Sequence, residues 1–359
     1  MIGWENVYNV VVAVMPLYVA LFLGYASVKW WRIFTAEQYD AVNRFVSYFT
    51  LPLFTFEFTV HVDPFAMNGK FAAADAVSKA IIFAVLAAWA RCSSSGTLGR
   101  FITAFSLSTL NNGLVIGVPL VKAMYGPAAV DLIVQSSVIQ SVVWITLLLF
   151  VLELWRTKND LNSVTASVDG AVGDLEGNGK KAAAVAERPS LWRVMSDVCF
   201  KVATNPNTYG CVGGILWAFV SNRWHIGMPS LIEGSVLVLS RAHTGATMFS
   251  MGLFMALQHK VIACGGRLTI LGMALKFIAG PAAMALASIA VGLRGNALRV
   301  AIIQATLPQS ITSFIFAVQY GLHANVLSTA VIVGMIVSLP QNSVQLEVLL
   351  YWVVTLLYL

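Results

Sequence analysis

Charged side chains are scarce in this sequence. Asp, Glu, Lys and Arg make up 11% of its 359 residues, whereas soluble domains contain about 25%. Apolar residues account for 58% of the chain, and its mean hydropathy is +0.79. Such a composition excludes an ordinary soluble protein and indicates an integral membrane protein surrounded by lipid.

Cysteine and the usual catalytic motifs are also scarce or missing. The chain has four cysteines without C-x-x-C spacing, and we expect them to be reduced packing residues. It contains neither H-E-x-x-H nor G-x-S-x-G, and its five histidines are scattered. The sequence therefore predicts no enzymatic activity, no cofactor and no metal site.

Long apolar segments dominate the chain, and most approach the roughly 20 residues that a bilayer span requires. The first is too long for the core of a signal peptide, so we expect it to be retained. We predict an all-α membrane protein with ten transmembrane helices. The predicted spans lie near 7–29, 38–58, 71–91, 101–123, 131–155, 202–221, 231–257, 267–293, 297–320 and 325–358.

One polar insert, residues 156–190, divides the chain into halves of five spans each, 1–155 and 191–359. The insert is poor in aromatic residues and rich in Gly, Ala and Ser, so we expect a mobile hydrophilic linker. An odd number of spans inserts the second half upside down relative to the first. The halves are therefore predicted to be inverted repeats.

The distribution of basic residues predicts the orientation. Connectors after odd-numbered spans hold thirteen Lys and Arg residues, and those after even-numbered spans hold four. Because cytoplasmic loops are enriched in Lys and Arg, the insert should be cytosolic and both termini should lie on the opposite side. The net charge of +6 thus reflects topology, and no nucleic-acid partner is expected.

Two spans carry helix-breaking residues at corresponding positions. The fourth contains LNNGLVIGVPL at 110–120, and the ninth contains QATLPQSITSF at 304–314. Proline removes a backbone donor, and asparagine competes for backbone partners. One such break would be explained by a packing kink, but two at matching positions favour a transporter site built from crossed, broken helices. Their exposed amides and positive helix ends suit an anion.

Several polar residues within spans leave alternatives open. Asp75 and Lys79 lie one helical turn apart, so they form either a structural ion pair or part of a cavity. Gln140 either lines a site or bonds a neighbouring helix. Lys276 is expected to be a packing or snorkelling lysine. His243 lies in a span rich in small residues and Met, which favours close helix packing.

These segments resemble the PIN-formed auxin efflux carriers of plants. The similar motifs are LSTLNNGLVIGVPLVKAMYG, NPNTYG, MFSMGLFMA, LKFIAGPA and VAIIQATLPQSITSFIFA. The resemblance implies a fold similar to the bile-acid symporter and sodium–proton antiporter group, and export of indole-3-acetate. The short insert resembles that of the subgroup associated with endoplasmic reticulum membranes. We therefore expect the protein to reside in the endoplasmic reticulum and not in the plasma membrane. We also expect a homodimer embedded in membrane lipid.

The resemblance further implies roles for single residues. The implied substrate-binding residues are Asn112, Leu51, Leu114, Gln140, Asn207 and Ile311. The implied crossover residues are Asn111, Gly113 and Pro308. Asp75 and Lys79 match a supporting pair beneath the crossover, where related symporters bind sodium. A lysine there would replace the cation, so transport should not require sodium.

Two departures from the family pattern fall at the first crossover. Asn111 stands where the family usually has proline, and Gly113 stands where it usually has threonine. We expect that restoring proline at 111 leaves transport equal or better. These departures also motivate the alternative that the chain is a divergent, non-transporting member that modulates active carriers.

Overall fold

The computed structural model describes residues 4–93, 96–172, 191–258 and 264–335. This part of the chain is a bundle of helices. Their bounds are α1 Trp4–Lys29, α2 Ala36–Phe45, α3 Leu51–Val60, α4 Gly69–Cys92, α5 Leu98–Thr109, α6 Val118–Tyr125, α7 Pro127–Ile139, α8 Ile145–Val172, α9 Leu191–Ala203, α10 Pro206–Trp224, α11 Ser230–Leu257, α12 Gly266–Ala274, α13 Gly280–Ala290, α14 Gly295–Thr306, α15 Ile311–Tyr320 and α16 Ala324–Met335. Short π-helical turns join several of them at Val46–Thr50, Gly113–Gly117, Gln140–Trp144 and Leu275–Ala279.

Three helical stretches are long and apolar enough to cross a membrane. They are Gly69–Cys92, Ala129–Asn159 and Gly266–Ala290. Other predicted spans are shorter apolar helices or helices interrupted by turns, such as Ile311–Tyr320. The last predicted span extends beyond Met335 and lies mostly outside the described residues. The helical class is confirmed, and the count of ten spans stays a prediction.

Side-chain caps define where several helices begin. At α2, Thr35 Oγ1 accepts from the Gln38 amide, and Gln38 Oε1 accepts from the Thr35 amide at 2.9 Å. At α4, Asn68 Oδ1 accepts from the Phe71 amide at 3.1 Å. These bonds satisfy amides that have no partner within the helix, and a lost cap costs about 1 kcal/mol.

The insert differs in part from its prediction. Helix α8 continues to Val172, so the first part of the segment 156–190 is helical, and the mobility of the segment stays a prediction. A helix that is already formed lengthens without a new nucleation cost, which polar composition alone does not reveal. Residues 173–190 lie outside the described part of the chain.

Helices from the two halves pack in a symmetric pattern. α1 packs against α11, α3 packs against α10, and α4 packs against α13. In the predicted numbering these are spans 1 and 7, 2 and 6, and 3 and 8. In two equivalent halves, spans 1, 2 and 3 correspond to spans 6, 7 and 8. Swapping each span for its counterpart turns the pair 1 and 7 into the pair 6 and 2, and it leaves the pair 3 and 8 unchanged. Two equivalent halves would produce this pattern, which supports the predicted repeats.

The contact between α1 and α11 depends on glycine. A Cβ atom on Gly24 would overlap the carbonyl oxygen of Phe249, and one on Gly252 would overlap that of Leu21. The obstructing atoms belong to backbone and cannot rotate away. Small residues at these two positions therefore let the helix backbones approach closely, as is common in membrane proteins.

Candidate functional site

Two helices are interrupted at the centre of the bundle. α5 ends at Thr109, and the π-helical turn Gly113–Gly117 begins four residues later along the same span. α14 ends at Thr306, and α15 begins at Ile311. The break that the sequence predicted is therefore present in both halves. Each break leaves extended backbone between two half-helices.

The extended segments cross and bond to each other. Asn111 and Gln309 form an isolated antiparallel bridge. The Asn112 amide donates to the Pro308 carbonyl at 3.0 Å, and the Ser310 amide donates to the Leu110 carbonyl at 3.2 Å. Lipid offers no hydrogen-bond partners to the backbone amides and carbonyls exposed at a break, and here the two breaks supply partners to each other. We refer to residues 110–112 and 307–310 as the crossover.

The crossover brings two helix N-termini together. One is the turn that begins at Gly113, and the other is α15, which begins at Ile311. The first amides of a helix have no acceptor within it, and its N-terminus carries about half a positive charge. Neither Asn112 nor Ser310 caps its helix with a side-chain bond. The site thus presents positive helix ends that suit an anion.

Asn111 is held on both sides by neighbouring helices. Its amide donates to Gln140 Oε1 at 2.9 Å, and its carbonyl accepts from Gln140 Nε2 at 2.7 Å. Its side-chain Oδ1 accepts a short hydrogen bond from Lys276 Nζ. Gln140 therefore bonds the backbone of the crossover. The sequence had left open whether it lines a site or bonds a neighbouring helix.

Lys276 occupies a different place from the one expected. Its side chain is 0% exposed, and its Nζ also donates to the Leu110 carbonyl at 3.0 Å. The snorkelling alternative is therefore wrong, and the buried position agrees with the packing alternative. The ammonium lies at the C-terminal end of α5, where the helix dipole is negative and a cation is stabilised. Sequence reasoning missed that Lys276 bonds to the crossover.

Asn112 has a free amide group. The side chain is 7% exposed, and its Nδ2 atom has no hydrogen-bond partner among the described residues. A buried donor without a partner costs about 1–3 kcal/mol, so such groups usually serve a function. This donor lies immediately before the helix N-terminus at Gly113. It is available to an acceptor that enters the site.

A cavity adjoins the crossover and comprises about 580 Å³ of empty space, including its opening. Residues from several helices line it: Leu51, Phe54, Thr55, Asn111, Asn112, Gly113, Leu114, Val115, Ser137, Gln140, Ser141, Ile145, Asn207, His243, Thr244, Thr247, Ser310, Ile311 and Thr312. Apolar and polar groups therefore face the same space. This composition is typical of small-molecule sites.

The cavity brings together all six residues predicted to contact a substrate. They are Leu51, Asn112, Leu114, Gln140, Asn207 and Ile311. Asn111 and Gly113 line it as well, whereas Pro308 contributes its carbonyl to the crossing. Asn207 is oriented by Thr55, whose hydroxyl donates to Asn207 Oδ1 at 3.0 Å.

Asp75 and Lys79 form a buried ion pair and do not line this cavity. Lys79 Nζ donates to Asp75 Oδ1 at 2.8 Å and to Oδ2 at 2.6 Å. Trp144 donates its indole N–H to Asp75 Oδ2 at 2.9 Å, and the ammonium lies 4.7 Å from the Trp144 ring centroid. Trp144 shares its π-helical turn with Gln140. The pair is thus connected to the crossover through that turn.

Sequence reasoning also missed one wall of the cavity. His243, Thr244 and Thr247 on α11 line it, although their span was expected to serve helix packing. His243 and Thr247 lie at i and i+4, one turn apart on the same side of an apolar helix, and this signal was available in the sequence. In the described residues, no group of three or more His, Cys, Asp or Glu side chains could hold a metal ion.

Comparisons with known proteins agree on a family. A family described as "Membrane transport protein" matches residues 9–346. Auxin efflux carrier component 5 of Arabidopsis thaliana is 62% identical over 341 residues, covering 95% of this chain and 96% of the relative. Probable auxin efflux carrier component 5a of Oryza sativa subsp. japonica is 60% identical over 363 residues, with the same coverage. Probable auxin efflux carrier component 1b of the same rice is 33% identical over an alignment of 543 residues, covering 95% of this chain and 98% of the relative.

Proposed function

The chain belongs to the auxin efflux carriers, a family of plant membrane transport proteins, and we propose that it carries the anion indole-3-acetate out of the cytosol. An aromatic acetic acid has a carboxyl pKa of about 4 and is ionised at neutral pH. A free carboxylate is too costly to desolvate in lipid, so its passage requires a carrier.

The unpaired Nδ2 donor of Asn112 is the observation that carries this proposal. It lies beside the helix N-termini at Gly113 and Ile311, where a carboxylate is stabilised by backbone amides and by the helix dipoles. The aromatic ring packs against the apolar part of the cavity wall, with Leu51 and Leu114 as its main contacts. Gln140 and Asn207 keep these groups in place.

Transport proceeds by alternating access, in which the helices that bear the crossover move against the other spans. Lys79 supplies the positive charge that a bound cation would supply elsewhere, because its ammonium is held by Asp75 at 2.6 Å. Flux then follows the anion gradient and the membrane potential as a uniport. Initial rates should be unchanged when sodium is replaced at constant pH and potential, and a steep sodium dependence would contradict this.

The destination is the lumen of the endoplasmic reticulum. The alignment with component 1b runs to 543 residues, so that relative is much longer than the 359 residues of this chain. A short insert offers little surface for the sorting signals of plasma-membrane carriers. A fluorescent protein placed within residues 173–190 should mark the endoplasmic reticulum at native expression. Signal confined to the plasma membrane would overturn the compartment and leave the transport chemistry unaffected.

Flux of radiolabelled indole-3-acetate tests the main proposal. Proteoliposomes that contain only the purified chain should accumulate the label under an inward-directed driving force, such as an inside-positive potential, and Asn112→Ala should slow this uptake. The second candidate is a non-transporting member that modulates active carriers, and the replacement of the crossover proline by Asn111 favours it. Absence of flux in folded protein, with altered flux when an active relative is added, would support that candidate.

A further inference from the structure

The α11 wall of the cavity contains a histidine that the crossover does not use. His243 is 4% exposed and packs against Phe54, with ring centroids 4.5 Å apart and planes at 35°. Both residues line the cavity. In the described part of the chain no carboxylate pairs with this imidazole. A buried charge without a partner is costly, so the ring is neutral and carries a single N–H.

The contacts of Thr50 identify which ring nitrogen carries the proton. Thr50 Oγ1 lies 3.2 Å from the Val46 carbonyl and 3.0 Å from His243 Nδ1. Its one hydroxyl hydrogen goes to the carbonyl four residues earlier, a common arrangement for threonine in helices. Thr50 Oγ1 must then accept a hydrogen bond from Nδ1–H. The other nitrogen, Nε2, keeps its lone pair and is an acceptor.

This acceptor is poorly satisfied by the described residues. Thr247 Oγ1 lies 3.5 Å from Nε2 and 3.3 Å from Nδ1 of the same ring. A hydroxyl nearly equidistant from both nitrogens lies beside the ring and cannot point along the Nε2 lone pair at a normal distance. The cavity thus offers a donor at Asn112 and an unfilled acceptor at His243.

We propose that His243 is a specificity-determining residue whose Nε2 accepts the N–H of an indole ring while the crossover holds the carboxylate. The inference rests on the proposed function and names the chemical feature by which the site distinguishes among aromatic acids. An indole N–H is a donor without acceptor capacity, so it complements Nε2 in the assigned tautomer. An aromatic acid without this N–H leaves the acceptor unpaired on binding.

A pair of isosteric ligands tests this. Indole-3-acetate and 1-benzothiophene-3-acetate have the same shape, but sulfur replaces the N–H in the second. The wild-type chain should bind the indole more tightly by roughly two- to tenfold, the value of one neutral hydrogen bond. His243→Phe keeps a ring against Phe54 and removes the acceptor. It should abolish the preference by weakening indole binding alone, and His243→Gln, which offers an amide oxygen, should retain part of it.

Failure of this inference and failure of the proposed function give different results. Equal affinity of the wild-type chain for the two acids, or an undiminished preference in His243→Phe, would overturn the role of His243. Absence of binding for both acids in the wild-type chain would instead count against auxin transport itself. If His243→Phe does not fold, the wild-type comparison and His243→Gln still decide the question.

Discussion

Asn112 and Asn111 are adjacent in the sequence, yet their side chains have different environments. The Asn111 amide oxygen is bonded to Lys276, whereas Asn112 Nδ2 has no partner in the part of the chain that the structure describes. One asparagine therefore maintains the crossover, and the other is free for a ligand. The pattern NN by itself does not show which side chain faces a neighbouring helix, and only the family resemblance assigned Asn112 to the substrate and Asn111 to the crossover.

We expect Asn112→Ala to weaken binding of indole-3-acetate by roughly ten- to hundredfold, because a hydrogen bond to a charged group contributes about 1.5–3 kcal/mol. Equilibrium binding to the purified protein measures this. Asn222→Ala is the matched control, since Asn222 Nδ2 bonds the carbonyls of Val62 and Ala218 and does not line the cavity. Unchanged affinity in a folded Asn112→Ala protein would remove this residue from the site.

The structure reverses the expectation for proline at position 111. Asn111→Pro removes the amide that donates to Gln140 and the oxygen that accepts from Lys276. Each buried group left unpaired costs about 1–3 kcal/mol, so the variant should have a lower melting temperature and reduced transport. Asn111→Asp keeps an acceptor for Lys276 and should lose less. A proline variant as stable and active as the wild type would contradict the role given to these bonds.

The same residues show what the sequence could not reveal at this scale. Lys276 and Asn111 are 165 positions apart, and their contact depends on how α5 and the turn Leu275–Ala279 pack. Hydropathy patterns give the face of one helix and do not identify its partner. The resemblance to a family pointed to six residues that line the cavity, and their contact with a substrate stays a prediction. It also identified Asn111 as the replacement of a proline, but the contact of Asn111 with Lys276 lay beyond both methods.

At the scale of helices, the breaks were predictable and their supports were not. Proline, glycine and asparagine mark where α5 and α14 end, and these signals act locally. The extension of α8 to Val172 was missed, because composition predicts the order of an isolated segment and not of one attached to a helix. Local sequence signals thus predicted where helices break better than how far a helix extends.

Gly113 and Ser137 should be coupled across the contact between the π-helical turn and α7. A Cβ atom at Gly113 would overlap Ser137 Oγ but would lie 3.5 Å from Ser137 Cβ, an ordinary contact. Gly113→Ala alone should therefore destabilise the protein, while Ser137→Ala alone should have little effect. The double variant should recover most of the loss, measured as melting temperature in a double-mutant cycle. Additive effects would show that the two residues are independent.

At the scale of the whole described molecule, pairs of helices link the two halves. Helices α1 and α11 pair through Gly24 and Gly252, and α3 pairs with α10. Span counting predicted two halves and matched breaks. It could not predict which helices would pair, because the apolar faces of most spans are similar in composition and become distinct only in contact. The pairings stay the same when the two halves are swapped. This is consistent with inverted repeats, in which corresponding helices of the two halves have opposite orientations in the membrane.

The native cysteines offer a test of the predicted orientation. Cys92 at the end of α4 and Cys199 on α9 are exposed, whereas Cys211 is buried. Both exposed thiols lie next to connectors that carry most of the Lys and Arg residues, so they should face the cytosol. In sealed microsomes with the cytosolic face outward, a membrane-impermeant maleimide should label single-cysteine variants that retain Cys92 or Cys199.

The matched control places a thiol on the other side of the membrane. Ser230 is exposed at the start of α11, on the connector that follows an even-numbered span. A variant whose only cysteine is Ser230→Cys should react only after the vesicles are permeabilised, and one that retains only Cys211 should stay protected until the protein is unfolded. Labelling of Ser230→Cys in intact vesicles, with Cys92 protected, would invert the topology. The carboxylate site would then have to be approached from the opposite compartment, because reversing the chain exchanges the two openings of an alternating-access carrier.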